Sequence, residues 1–168
     1  MGTMNVCGCL KYIDRIQKRL NMQKHALMMP ELEDCSISLK KEMKKLGYVV
    51  EVFQGYRSIA EQDILYNQGR TTGGKIVTKA KGGQSWHNFG CAFDMVFRPY
   101  GKWSWDEIHP WAELGRIGKG LGLEWGGDWV SFKDRPHFQI VRGLTLSEAS
   151  KINKEHGLAE VWKTILKN

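Results

Sequence analysis

The chain has 168 residues, 42% of them hydrophobic and 26% charged, a length and balance that suit one globular domain and need no disulfides for stability. The composition excludes a disordered or low-complexity chain, and no apolar run is long enough to span a bilayer. The net charge of +7 attracts polyanions, nucleic acid and anionic wall polymers alike, but the basic residues are too scattered to mark a nuclear signal or a nucleic-acid arm.

Residues 10–22, LKYIDRIQKRLNM, space Leu10, Ile13, Ile16 and Leu20 at helical intervals. Pro30 suits the first turn of a second helix, which ELEDCSISLKKEMKKLG continues until Gly47 stops it. YVVEVFQ is rich in β-branched and aromatic residues and reads as a strand, with GYRS as the turn after it. Ser58 and Glu61 form a capping box for a helix that runs to Gly69. RTTGGKIVTKAKGGQ is a Gly- and Lys-rich loop, long enough to expect a functional role. CAFDMVF reads as a buried strand and RPYGKW as a turn. Residues 105–120 contain a helix around Trp111, Leu114 and Ile117, and LEWGGDWVSF and PHFQIV read as two strands. Thr145 and Glu148 make a second capping box, and the chain closes in helical segments. Strands and helices mix without a regular βαβ alternation. The fold class is therefore α+β, a small mostly antiparallel sheet flanked by helices, with one domain over residues 1–168.

Cys7, Cys9, Cys35 and Cys91 read as free thiols of a reducing compartment. Cys7 and Cys9 are spaced like half a metal site, but no second pair completes it. The N-terminus lacks the apolar core and cleavage site of a signal peptide, so the chain is expected to carry no export signal of its own.

SWHNFGCAFD places His87 and Asp94 seven residues apart, with Gly90 and Ala92 between them. Alternate residues of a strand share a face, which groups Asp94 with Ala92 and Val96, and His137 with Gln139 and Val141. If the two strands are neighbours, Asp94 and His137 converge, and a turn at Gly90 brings His87 to the same point. Two imidazoles and a carboxylate suit a catalytic zinc, which keeps a fourth position for water and lowers that water's pKa from 15.7 to roughly 7. On residue types alone the three read equally well as separate structural side chains. Asp134 lies three residues before His137, on an approach stiffened by Pro136, and is placed to act as a general base. Glu124 is its rival, and Asp128 is a loop neighbour. His25, His109 and His156 read as structural. Trp103, Trp105, Trp111, Trp125 and Trp129 read as core ahead of lining for a glycan or peptide groove.

SWHNFGCAFD also matches the motif S-x-H-x-x-G-x-A-x-D of the zinc D,D-carboxypeptidase and L-alanyl-D-glutamate peptidase family, which includes vancomycin-resistance peptidases and bacteriophage endolysins. GYRS with Gln62, LEWGGDW and DRPHFQI resemble its other motifs in the same order, so the resemblance runs from about Tyr48 to Val141. It implies a hedgehog/D,D-peptidase-like fold, with Zn2+ held by His87, Asp94 and His137. It implies Asp134 as catalytic acid and base, Arg57 as a catalytic and substrate-binding residue that steadies negative charge, and Ser85 as a substrate contact. Arg57 reads otherwise as a loop-bracing arginine, and Ser85 as a capping hydroxyl.

The implied activity is hydrolysis of the L-alanyl-D-glutamate bond in the stem peptide of bacterial peptidoglycan. The implied setting is a monomeric phage endolysin, held in the host cytoplasm and acting on the cell wall after release, with neither nucleic acid nor membrane insertion involved. A D-alanyl-D-alanine carboxypeptidase shares the chemistry. A non-catalytic wall-binding module would keep the zinc for structure, but such a site is normally closed by a fourth protein ligand, and Asp134 favours catalysis. No separate wall-binding domain fits the sequence, and the net charge of +7 substitutes for one.

Overall fold

Helix α1 spans Pro30–Lys45, with Pro30 in the first turn. Glu31 and Glu33 sit at its positive end and Lys44 and Lys45 at its negative end, so both ends complement the helix dipole. Strand β1, Val50–Gln54, leads to α2, Ile59–Asn67. The Ser58 side chain accepts from the Glu61 amide while Glu61 reaches back to the Ser58 amide, the expected capping box. Strand β2, Ala92–Phe97, precedes α3, Trp111–Gly120. Two short strands follow, β3 at Glu124–Trp125 and β4 at His137–Gln139. Helix α4, Leu146–His156, carries the second capping box, and α5 covers Leu158–Lys167. The computed structural model describes residues 27–168; the helix expected at 10–22, the Cys7 and Cys9 pair and His25 lie outside the described residues.

The sheet has the order β1-β2-β4-β3, and every neighbouring pair is antiparallel. Asp94 lies opposite His137, and Ala92 opposite Gln139. On the other face, Phe93 stacks on Phe138 at 5.5 Å, and buried residues of α1 and α3, among them Leu39 and Leu114, complete the core there. Helix α5 buries Val161, Trp162 and Ile165. The Trp162 indole donates to the Phe89 carbonyl at 2.6 Å, which ties α5 to the 3-10 turn Trp86–Phe89. Among the described residues no helix is long and apolar enough to cross a membrane.

The two late strands are shorter than the sequence suggests. LEWGGDWVSF pairs only through Glu124 and Trp125, because Gly126–Asp128 turns into a 3-10 helix. The Asp134 amide donates to the Gly126 carbonyl at 3.0 Å, so residues 127–133 loop out and return. Glycine is required at 126: a Cβ there would stand 2.5 Å from the Asp134 carbonyl oxygen and 3.0 Å from the His137 Cβ. PHFQIV begins its ladder at His137, since Pro136 has no N–H to give. The Pro136 carbonyl still accepts from Met95 at 2.8 Å, which fixes the entry to β4 against β2.

Candidate active site

Three side chains meet above the middle of the sheet. His87 comes from the 3-10 turn, Asp94 from β2 and His137 from β4. One donor atom from each lies within 4.8 Å of the other two. His87 Nε2 stands 3.2 Å from Asp94 Oδ1 and 3.2 Å from His137 Nδ1. Gly90 makes the convergence possible. Its φ of +63° reverses the chain between His87 and β2, and a Cβ there would press on the Leu27 carbonyl and the Trp162 ring at 3.1 Å.

Hydrogen bonds behind the imidazoles decide which nitrogens face inward. His87 Nδ1 donates to the Gly55 carbonyl at 2.7 Å, which leaves Nε2 with a lone pair. Gln139 Nε2 donates to Glu124 at 2.8 Å, so Gln139 Oε1 is free to accept from His137 Nε2 at 3.0 Å. His137 Nδ1 is therefore the inward lone pair. Two imidazole lone pairs and a carboxylate then face one another, all acceptors, and need positive charge among them. A proton or a metal cation meets that need. With protons alone, burial disfavours charge on His137, but the hydrogen bond and charge of Asp94 win and raise its pKa above 6.5. Burial works to raise Asp94, but the His87 charge and the hydrogen bonds from His137 and His87 outweigh it and hold the carboxyl well below the usual range. The donor set of two nitrogens and one oxygen fits zinc.

Asp134 lines the same groove as the three donors but is not part of their cluster. Its carbonyl accepts from the His137 amide at 3.1 Å, closing the turn that holds Pro136. Burial first, and then the Asp94 charge, push its carboxyl above the ordinary value, against the pull of His137, His87 and Arg57. Arg57 is no surface arginine: its side chain is only 12% exposed, and Nη2 donates to Asp94 at 3.4 Å. Its Nη1 donates to Gln62 at 2.9 Å, and its buried Nε has no partner among the described residues. Ser85 lines the groove just before the 3-10 turn and makes no capping hydrogen bond.

The sequence of residues 78–140 matches a family described as D-alanyl-D-alanine carboxypeptidase. The chain is 41% identical over 121 residues to the peptidoglycan L-alanyl-D-glutamate endopeptidase CwlK of Bacillus subtilis (strain 168), covering 67% of this chain and 72% of that protein. The chain belongs to the zinc D,D-carboxypeptidase and L-alanyl-D-glutamate peptidase family. Among solved structures it is similar to the Serratia marcescens L-Ala D-Glu endopeptidase ChiX, at 27% identity and a TM-score of 0.50, over 76% of this chain and 87% of that one. The LD-carboxypeptidase LdcB, at 19% identity and a TM-score of 0.54, covers 85% of this chain and 72% of its own. The vancomycin-resistance D,D-pentapeptidase VanY, solved with Zn(II), shares the fold at 16% identity and a TM-score of 0.52, over 80% of this chain and 83% of its own.

In this peptidase the site opens into a groove of about 1140 Å³. One wall is Val77–Ala80 with Gln84, from the long loop, and the other is formed by Trp129 and residues 131–136. Gln62, to which sequence reasoning assigned no role, is fully buried. It accepts from Arg57 and donates to the Ala80 carbonyl at 2.8 Å, joining the arginine to the loop wall. Gln139 and Gly55 were also missed as partners of the histidines. Gln139 shares a strand face with His137, the one signal that pointed to it. Glu124, the rival base, lies behind the site with its carboxylate on Gln139. Asp128 pairs with Lys119 at 2.7 Å, away from the site. His109 stacks on Phe97 at 4.4 Å and is structural, as expected.

The tryptophans divide. Trp111 is core and Trp125 packs against Gly115 and Gly127, but Trp103, Trp105 and Trp129 are exposed. Trp129 stands 5.0 Å from the His137 ring and lines the groove. Cys35 and Cys91 are free thiols, and burial pushes Cys91 far up.

Proposed function

We propose that the chain is a zinc-dependent endopeptidase that hydrolyses the L-alanyl-D-glutamate bond of peptidoglycan stem peptides. The observation that carries the reading is the convergence of three acceptor atoms, from His87, Asp94 and His137, on the floor of an open groove beside Asp134. Kinship with endopeptidases named for that bond supports the choice of bond.

His87 Nε2, His137 Nδ1 and an Asp94 oxygen would hold the ion. When bound, zinc polarises the scissile carbonyl as a Lewis acid and lowers the pKa of a water from 15.7 to roughly 7. Asp134 takes a proton from the attacking water and gives it to the leaving amine nitrogen, and its raised pKa favours the capture. Arg57 steadies negative charge on the substrate or on the developing oxyanion, with Gln62 and Asp94 fixing its guanidinium. Ser85 contacts substrate along the groove. The His87–Gly55 and His137–Gln139–Glu124 hydrogen bonds keep both lone pairs aimed inward.

Mass spectrometry of digested, defined muropeptides tests the reading. The expected product carries a newly freed amino group on D-Glu, with the sugar chain intact. Loss of a terminal D-Ala alone would instead support a D-alanyl-D-alanine carboxypeptidase, the description of the family matched at residues 78–140. We extend the proposal to a single-domain monomer of the phage endolysin type, on the sequence resemblance, with the +7 charge drawing it to wall anions. Lysis of host cells only when the membrane is permeabilised, and a monomer mass in sedimentation, are the outcomes expected.

A further inference from the structure

Next to the groove lies an aromatic surface that the hydrolytic machinery does not use. Phe53 sits at the irregularity between Val52 and Gln54 in β1, where the register with β2 shifts. Glu51 pairs with Val96 and Gln54 with Asp94, so Phe53 projects from the sheet face that carries Asp94. Ser104 bridges Phe97, and its hydroxyl meets His109 at 2.7 Å on the core side. Trp103 and Trp105 flank Ser104 and so point to the opposite face, the face of Phe53 and Asp94.

The three rings gather there. Phe53 meets Trp103 at 5.2 Å and Trp105 at 5.1 Å, both edge to face. They remain 49%, 39% and 49% exposed for Phe53, Trp103 and Trp105. Neither indole N–H meets an acceptor among the described residues. Arg98 lies over Trp103 at 4.9 Å. Phe53 and Trp105 also line the groove, so the surface is continuous with the site. A contiguous exposed aromatic patch of this kind marks a binding surface.

We propose that Phe53, Trp103 and Trp105 form a glycan subsite that takes the pyranose rings of the wall's sugar strand. The inference rests on the proposed cleavage of the L-alanyl-D-glutamate bond. In that substrate, one residue, about 3.5 Å of extended chain, separates the scissile carbonyl from the lactyl carbonyl, and the lactyl ether two bonds further on joins the stem to its sugar. The sugar therefore reaches the surface beside the groove whenever the bond is seated. The stem peptide, built of alanine, glutamate and a diamino acid, offers no broad apolar face to an aromatic platform. A pyranose ring offers its axial C–H face to the rings and its hydroxyl and acetamido oxygens to the indole N–H donors.

The test uses the full chain and two probes. Chitotetraose, a glycan without peptide, is titrated against tryptophan fluorescence, and kcat/KM is measured on a disaccharide-linked tetrapeptide and on the same free tetrapeptide. Chitotetraose binding by the parent, with a higher kcat/KM on the linked substrate, is expected. Trp103→Ala and Trp105→Ala should lower the linked-to-free ratio by about tenfold, and Trp105→Tyr should restore most of it. An unchanged ratio overturns the subsite. So does an equal loss on both substrates, which would make the surface a peptide contact or a packing element. Concentration-dependent sedimentation abolished by Trp103→Ala, without chitotetraose binding, would assign it to a second copy of the chain and overturn the proposal. If the parent cuts neither substrate, the proposed activity fails, while the chitotetraose titration still decides the subsite.

Discussion

The floor of the groove and its walls are built on different principles. On the floor, each donor is backed by the backbone ladder or by a hydrogen bond to a fixed partner. Asp94 and His137 face each other in register across β2 and β4, and His87 is held through Gly55. The walls are loops joined by side chains: Gln62 to the Ala80 carbonyl, Arg135 to Glu107 at 2.9 Å, and Lys79 over the Phe132 ring at 5.3 Å. Rigid elements hold catalytic geometry to fractions of an ångström, whereas exposed contacts of long side chains contribute little each. Damage to the floor should therefore remove the chemistry, and damage to the walls should tune substrate binding.

The largest effect is expected at the floor itself. His87→Ala or His137→Ala should reduce bound zinc from one per chain to background and abolish hydrolysis of purified walls, as read by elemental analysis and dye release. Full zinc occupancy in the His137→Ala protein would remove that residue from the ligand set.

Asp134→Asn comes next. It keeps the shape but cannot take a proton, so the rate should fall by about 10²–10⁴-fold, with zinc content and thermal stability near the parent. The pH profile sharpens this point. A base must be unprotonated to act, so parent activity should drop as pH falls through the raised pKa of Asp134. Zinc measured in the same samples separates that limb from protonation of the ligands. An active, zinc-loaded Asp134→Asn protein would move the base elsewhere.

Behind the floor, Glu124→Gln weakens the acceptor that orients Gln139 and through it His137. Partners of ligands typically contribute about 10–100-fold in metal affinity or activity, and Glu124→Gln, which keeps a hydrogen-bonding oxygen, should fall at the low end. A chelator competition assay checks it. A dead but zinc-loaded Glu124→Gln protein would make Glu124 the base.

The smallest effect belongs to a wall. Lys79→Ala removes an exposed cation–aromatic contact of about 0.5–1 kcal/mol, so KM should rise a few-fold at most, with kcat unchanged. A loss in kcat as large as that of Asp134→Asn would show that the walls set the geometry of the floor and would break the comparison.

Local signals carried much of this. Capping boxes at Ser58 and Thr145 and the stop after α1 were legible because each depends on residues within four positions. The pairing of Asp94 and His137 was conditional in the sequence: strand periodicity assigned each a face, but only the sheet order made the strands neighbours. LEWGGDWVSF misled for a tertiary reason. Its apolar and aromatic residues suit a strand, yet the return of Asp134 to the Gly126 carbonyl ends the pairing after Trp125.

The sequence by itself determined the capping boxes, the turn at Gly90 and the α+β class, because residue chemistry and short-range periodicity suffice for those, and it offered His87, Asp94 and His137 as a donor set only on condition that their strands lie side by side. It did not determine which nitrogen of each imidazole faces inward, that Arg57 is buried against Asp94 through Gln62, or which tryptophans stay exposed. Those depend on contacts between residues far apart in the chain, such as His87 with Gly55 and Gln139 with Glu124. Hydrogen-bond direction and burial follow from what packs alongside, and only the folded chain decides that.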